Sequence, residues 1–261
     1  MARKYASSPL TTLSHHLDEL WMREAYRRVS RDSAPGLDGQ SVADYGQNLE
    51  QNLRDLLERA KSGRYRAAPV KRVHIPKNAT ETRPIGMPTV ENKVLERAVA
   101  MLLEPVYEQE FMDSSYGFRP RRSAHQALEA TRSAVMEMGG GWVLDVDLRQ
   151  YFDTIPHRQL REILDQRIGD GVIRRLIGKW LKAGVWEAGK VTYPEAGTPQ
   201  GGVIYSPICS ANIYLHTVLD RWFEEEIKPQ LQGKAALVRF ADDFVVVCAE
   251  RVDAESLLGQ I

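Results

Sequence analysis

Residues 235–248 read AALVRFADDFVVVC. Two runs rich in β-branched and aromatic residues flank Asp242-Asp243, a pattern that predicts a tight β-hairpin with two adjacent carboxylates at its tip. In a buried hairpin those carboxylates repel each other and lose hydration, a cost that a bound cation or a basic partner offsets. The competing reading is an ordinary turn joining two strands, since Asp is a common turn residue. The surrounding chain has to decide between them.

Working upstream, the loop Gly197-Thr198-Pro199-Gln200-Gly201-Gly202 precedes Ser206, which can cap a helix with Pro207 at its first position, running to about Glu226. Val185 to Tyr193 reads as a hairpin through Ala188-Gly189, and His157–Ile168 and Ile173–Ala183 read as helices. Trp142 to Leu148 reads as a strand after the break at Gly139-Gly140-Gly141. Strand side chains alternate, so Asp145 and Asp147 share one face while Trp142, Leu144 and Val146 are predicted to fill the other. Ser123 with Gln126 has capping-box spacing and opens a helix through Met138. Val90 to Val106 is helical. Val70–Pro76 and Pro84–Pro88 are extended runs joined by the polar loop Lys77–Thr82, forming a basic hairpin. Leu13, Leu17, Leu20, Trp21, Ala25 and Val29 recur at helical spacing, as do Leu49, Leu53, Leu56, Leu57 and Ala60 before Gly63, with a turn-rich linker at Ala34–Gly39 between the two helices.

The 261 residues are 43% hydrophobic and 27% charged, ordinary for a globular protein with a substantial core. Apolar stretches such as Ala98–Leu103 are too short to span a bilayer, and Met1-Ala2-Arg3-Lys4 leads into no signal segment, which predicts a cytoplasmic protein. Cys209 and Cys248 lack CxxC spacing and read as core thiols. With 35 basic and 35 acidic residues there is no global field to attract nucleic acid, so binding must rest on local patches. One such patch runs from Lys61 to Arg97, with nine basic residues against three acidic. Arg119, Arg121 and Arg122 follow it.

Asp147 at the end of one strand, Asp242-Asp243 at a hairpin tip, a basic finger and a Gln-Gly-Gly loop together suggest a two-metal site for phosphoryl or nucleotidyl transfer. Mg²⁺ prefers oxygen ligands and keeps several waters, so two or three carboxylates plus substrate phosphates suffice to hold a pair of ions.

The runs LDVDLRQYFDTIPH, GTPQGG and RFADDFVVV resemble the palm motifs of reverse transcriptases. GRYRAAPVKRVHIPK, TRPIGMPTVENKVLERAV and SSYGFRPRRSAHQAL are similar, more narrowly, to the bacterial group II intron reverse transcriptases, or maturases. The resemblance runs from about Pro35 to Cys248, in the family's order. It implies that Asp147, five positions before Phe152, and Asp242 ligate two Mg²⁺ ions, with Asp243 supporting the second acid position. Asp145 lies off this register and reads as structural or solvent-facing. Gln200 would lie against the incoming deoxynucleoside triphosphate, and Arg83 with Lys77 would contact its triphosphate. Phe152 would stack beneath the sugar and exclude a 2′-hydroxyl; its alternative is a core aromatic. Arg119, Arg121 and Arg122 would meet the template backbone, or form a plain surface cluster.

The implied fold is α/β (α+β), a right-hand polymerase with fingers and a partial palm, thumb absent. Residues 1–64 would be an N-terminal helical extension, 65–140 fingers, and 141–261 a palm incomplete at its C-terminus. The implied activity is RNA-directed DNA synthesis on an RNA template with a DNA primer, alongside binding of group II intron RNA. The alternatives are an RNA-binding splicing maturase without polymerase activity and a truncated, inactive remnant. Three departures stand out: Phe240 where the family usually has Tyr, a slightly longer Gly202–Asn212 stretch, and an end at Ile261, where the family continues into further palm motifs and a thumb.

Overall fold

The computed structural model describes residues 8–76, 78–149, 151–197 and 210–261, apart from the side chains of Ser210 and Ala211. A 3₁₀ turn (Leu13–His16) leads to α1 (Glu19–Arg27), α2 (Val42–Gly46), α3 (Leu49–Ser62), β1 (Val70–Pro76), β2 (Thr82–Met87) and α4 (Val90–Tyr107). Next come α5 (Ala124–Glu137), β3 (Trp142–Asp147), α6 (Tyr151–Thr154), α7 (His157–Arg167), α8 (Gly171–Leu181), β4 (Val185–Glu187) and β5 (Lys190–Thr192). α9 (Ser210–Leu215) continues with wider π-type winding through His216–Ile227, followed by β6 (Ala235–Phe240), β7 (Asp243–Cys248) and α10 (Arg251–Leu258). Among the described residues no helix is long and apolar enough to cross a membrane. The chain divides into two units, residues 1–106 with 152–209, and residues 107–151 with 210–261.

In the first unit, the helix expected from Leu13 to Val29 is broken. The Trp21 amide donates to the Asp18 carboxylate at 2.7 Å, so Asp18 caps α1 and stands outside it. Capping there restarts the helical phase, and Leu20, expected on the apolar face, is 72% exposed while Met22 and Ala25 are buried. α2, which the sequence reading missed, is held by a reciprocal capping box between Ser41 and Asp44. The buried Tyr65 hydroxyl ties α4 to α8: it donates to Asn92 Oδ1 at 2.6 Å and accepts from Trp180 Nε1 at 3.0 Å. The expected basic hairpin forms, and it joins a larger sheet in the order β2-β1-β4-β5. β1 pairs parallel with β4 through Val70↔Val185, a long-range pairing. The β4–β5 turn runs through Ala188 and Gly189, both at positive φ, the two-residue reversal that matches strand twist.

In the second unit, three antiparallel strands lie in the order β3-β7-β6. α5 packs on β6 and β7, and α10 on β3 and β7. Alternation puts Phe244, Val246, Cys248, Leu237 and Arg239 on one face, all buried. The same face of β3 is less covered than expected: Leu144 and Val146 are half-buried and Trp142 is 48% exposed, with the Arg251 guanidinium 5.1 Å from its ring centroid. α5 starts at Ser123, whose side chain accepts from the Gln126 amide at 3.3 Å. The expected helix start at Ser206-Pro207 lies outside the described residues.

Candidate active site

The register of the second unit's sheet brings three acids to one end. Asp147, the last residue of β3, lies directly opposite Asp243, the first residue of β7, and Asp243 is also opposite Phe240 at the end of β6. A two-residue turn of Ala241 and Asp242 joins β6 to β7, with Ala241 at φ +62°. Positive φ at the first turn position is the II′ arrangement, a place that favours glycine.

Alternation puts Asp145, Asp147 and Asp243 on the same face, opposite the one that holds Phe244, Val246 and Arg239. Burial raises the Asp242 carboxyl above its ordinary value, and the nearby charges of Asp243 and Asp147 raise it further, with Arg239 acting the other way. Burial, then Asp147 and Asp145, raise the Asp243 carboxyl in the same direction. These carboxylates therefore repel one another. Asp145, set aside in the sequence, adds to that negative field.

Arg239 supports the turn from the other face. It is wholly buried, and its five N–H donors are used: Nε and Nη2 pair with Asp220 at 2.7 and 2.6 Å, Nη1 reaches Asn212 Oδ1 at 2.9 Å and the Ala241 carbonyl at 2.8 Å, and Nη2 reaches the Ser115 hydroxyl at 2.8 Å. One signal for this network was legible: an arginine on the inward register of an apolar strand needs a buried anion.

The segment 114–118 lies along β6. Arg239 N donates to the Ser114 carbonyl and Tyr116 N to the Arg239 carbonyl, both at 2.8 Å. Asn212 Nδ2 donates to the Gly117 carbonyl at 2.8 Å. A Cβ at Gly117 would stand 2.2 Å from the Ala241 amide nitrogen, so only glycine permits this approach. Phe118, at φ +58°, places its ring 6.1 Å from that of Phe240.

The expected basic cluster divides. Arg119 is buried, pairs with Glu108 at 2.7 Å, and donates to the carbonyls of Met112 and Ser115. Its guanidinium is committed to the fold, which corrects the expectation of a template contact. Arg122 binds Asp113 and lies 5.1 Å from the Tyr116 ring centroid. Arg121 is exposed, with no carboxylate partner among the described residues. Arg83 is exposed on β2, and Phe152 is half-buried on α6, both in the first unit. Lys77 and Gln200 lie outside the described residues.

Among the described residues no three His, Cys, Asp or Glu side chains are drawn together closely enough to enclose one ion. The donor set is all-oxygen, anionic and mutually repelling, which suits Mg²⁺ held by one or two carboxylates with substrate phosphates completing its shell.

Residues 75–261 match the family model described as reverse transcriptase (RNA-dependent DNA polymerase). The chain is 35% identical to Protein YkfC of Escherichia coli, covering 95% of this chain and 74% of that protein. It is 38% identical to the group II intron-encoded protein LtrA of Lactococcus lactis, covering 69% of this chain but 31% of LtrA. A chain of a solved structure titled partial Cas6-RT-Cas1–Cas2 complex superposes with a TM-score of 0.56 over 96% of this chain and 42% of that one, at 18% identity. That likeness concerns the fold, a mixed α and β right-hand polymerase architecture. Motifs, family match and curated relatives agree: the chain belongs to the reverse transcriptase family, on its group II intron maturase branch.

Proposed function

We propose that this chain carries an RNA-directed DNA polymerase site in the acid end of the β3-β7-β6 sheet. The observation that carries the proposal is the cross-strand pairing of Asp147 with Asp243, with Asp242 in the adjoining turn and the Asp242 and Asp243 carboxyls pushed upward by burial and mutual repulsion. Such a cluster is costly unless positive charge offsets it. Asp147 and Asp242 would hold two Mg²⁺ ions, and Asp243 would support the second position. When bound, the ions supply charge that favours the attacking 3′-oxyanion of the primer and the leaving pyrophosphate.

The rest of the reading distributes roles to this chain's own residues. Residues 65–140 act as fingers, with Arg83 and Lys77 neutralising the triphosphate of a deoxynucleotide, and the sheet after residue 141 acts as the palm. Gln200 lies against the incoming nucleotide, Phe152 senses its sugar, and Arg121 and Arg122 meet the RNA template.

Extension of a DNA primer on an RNA template in Mg²⁺, comparing the chain with Asp147→Asn and Asp242→Asn, tests the reading. Incorporation that each substitution abolishes supports it, whereas incorporation that survives both removes the site from the chemistry. The second reading, a splicing maturase that does not use the acids, is motivated by the intron-encoded relative. Splicing of a group II intron in the same preparation, retained in Asp147→Asn without any primer extension by the unaltered chain, favours that reading.

A further inference from the structure

The first unit holds an open groove of about 930 Å³ walled by α7, α8 and the segments following α3 and β5. Arg66, Arg161, Arg174, Arg175, Lys179 and Lys182 line it and, among the described residues, no Asp or Glu does; Glu162, Asp165 and Glu195 line an adjoining cavity that shares Arg161, Gly178, Lys182 and Tyr193 with it. A solvated charged face usually mixes signs. Here the cations share one concavity.

Two of the six are already used. Arg174 pairs with Asp165, and Lys179 Nζ donates to the carbonyls of Gly63 and Tyr65. Arg66, Arg161, Arg175 and Lys182 are exposed and have no carboxylate partner among the described residues. The one hydrogen bond Arg175 makes there is long, 3.5 Å to the Lys61 carbonyl. Cations at 175, 179 and 182 recur at helical spacing and repel, a cost that a polyanion in the groove would remove.

Two further features shape the groove for a nucleic-acid strand. Tyr193, 70% exposed, stands in the wall with its ring close against Gly184 and offers aromatic surface beside the cations. Gly178 lies in the middle of α8, and a Cβ there would meet nothing within 4 Å, so the groove floor is open. Cations that follow a phosphate backbone, interleaved with an aromatic platform, are the chemistry of single-strand binding. An acidic peptide would use the cations but not the platform.

We infer that this groove binds the phosphodiester backbone of single-stranded RNA, with Tyr193 stacking on a base. The inference is independent of the polymerase reading, because binding needs neither Mg²⁺ nor synthesis.

The test is fluorescence anisotropy of a labelled oligouridylate with the full chain in EDTA, across a salt series. Each phosphate neutralised on a single strand contributes a slope of about −0.7 in log K against log salt, so reversing two cations in Arg161→Glu/Lys182→Glu should flatten the slope by about 1.4. Affinity should fall at least about tenfold at low salt, since phosphate contacts dominate nucleic-acid affinity. Gly178→Glu should also weaken binding, Gly178→Ala should not, and Tyr193→Ala should lower affinity without changing the slope. Cross-linking of 4-thiouridine-substituted RNA, mapped by mass spectrometry, should label peptides spanning residues 161–193. All four positions are at the surface or open to it, and circular dichroism verifies folding. Unchanged RNA affinity in both Arg161→Glu/Lys182→Glu and Gly178→Glu, cross-links confined to other segments, or tighter binding of oligoglutamate than of RNA would each overturn the inference.

Discussion

Arg239 and Asp220 form a doubly hydrogen-bonded ion pair in which neither side chain is exposed, Nε–Oδ1 2.7 Å and Nη2–Oδ2 2.6 Å. The pair lies under the acid turn and leaves Nη1 free to hold the Ala241 carbonyl. Removing one partner strands a buried charge, so Asp220→Ala should lose about 3–5 kcal/mol of stability, measured by urea unfolding. Replacing both partners, as Arg239→Met with Asp220→Leu, should recover most of that loss, since apolar substitutes for a buried ion pair are often neutral. The Ala241 carbonyl would still lack its donor. Primer extension should therefore remain impaired in the double variant although its stability returns; full recovery of both would reduce the pair to packing.

The turn itself is strained in a way that distinguishes substitutions. At φ +62° Ala241 tolerates Gly, while a β-branched residue there is a genuine outlier. Ala241→Gly should stay within about 1 kcal/mol of the parent, and Ala241→Val should lose at least about 1 kcal/mol. Gly117→Ala introduces a Cβ 2.2 Å from the Ala241 nitrogen and should cost on the order of 1–3 kcal/mol through overpacking. Denaturant midpoints with unchanged slopes check all three.

Asp242 and Asp243 have folded-state values raised above the ordinary 3.8, chiefly by burial and then by neighbouring acids. Groups so raised favour the fold below the unfolded value and lose that contribution as pH rises through the folded values. Asp242→Asn/Asp243→Asn should therefore melt above the parent at pH 7, and the gap should close below about pH 3.8.

Asp170 shows the opposite sign. Burial pushes its carboxyl upward, but hydrogen bonds from Ser14, Ile173 and Val172 outweigh it and hold it low. Its contribution is present above the unfolded value and fades as pH falls through the folded one. Asp170→Ala should cost about 1–2 kcal/mol at pH 7, as the loss of an N-cap does, and progressively less in strong acid. Thermal melts across pH check the two trends together.

Phe152 carries the sugar-sensing part of the proposal. Shrinking it to Val should raise ribonucleotide incorporation relative to deoxynucleotide on one RNA template, because a protein discriminates the two sugars through the 2′-hydroxyl. Single-nucleotide incorporation with matched rNTP and dNTP reads the ratio directly. An unchanged ratio makes Phe152 a packing residue.

What the sequence by itself determined is local. Alternation in β3 and β7, the glycine-marked ends of α3 and α5, and the Ala188-Gly189 reversal follow from side-chain periodicity and turn chemistry, and they appear at nearly the expected residues. The motif order also named the family and singled out Asp147, Asp242 and Asp243. Tertiary structure decided what depends on pairing between distant residues. The Asp147↔Asp243 register, the β1–β4 parallel pairing and the burial of Arg239 on Asp220 each join segments that no local pattern links. Arg119 shows the reason most directly. In the sequence it is one cation beside Arg121 and Arg122, yet Glu108 and two carbonyls enclose it while Arg121 stays in solvent. Whether a charge faces water or a buried partner depends on what the rest of the chain brings to it.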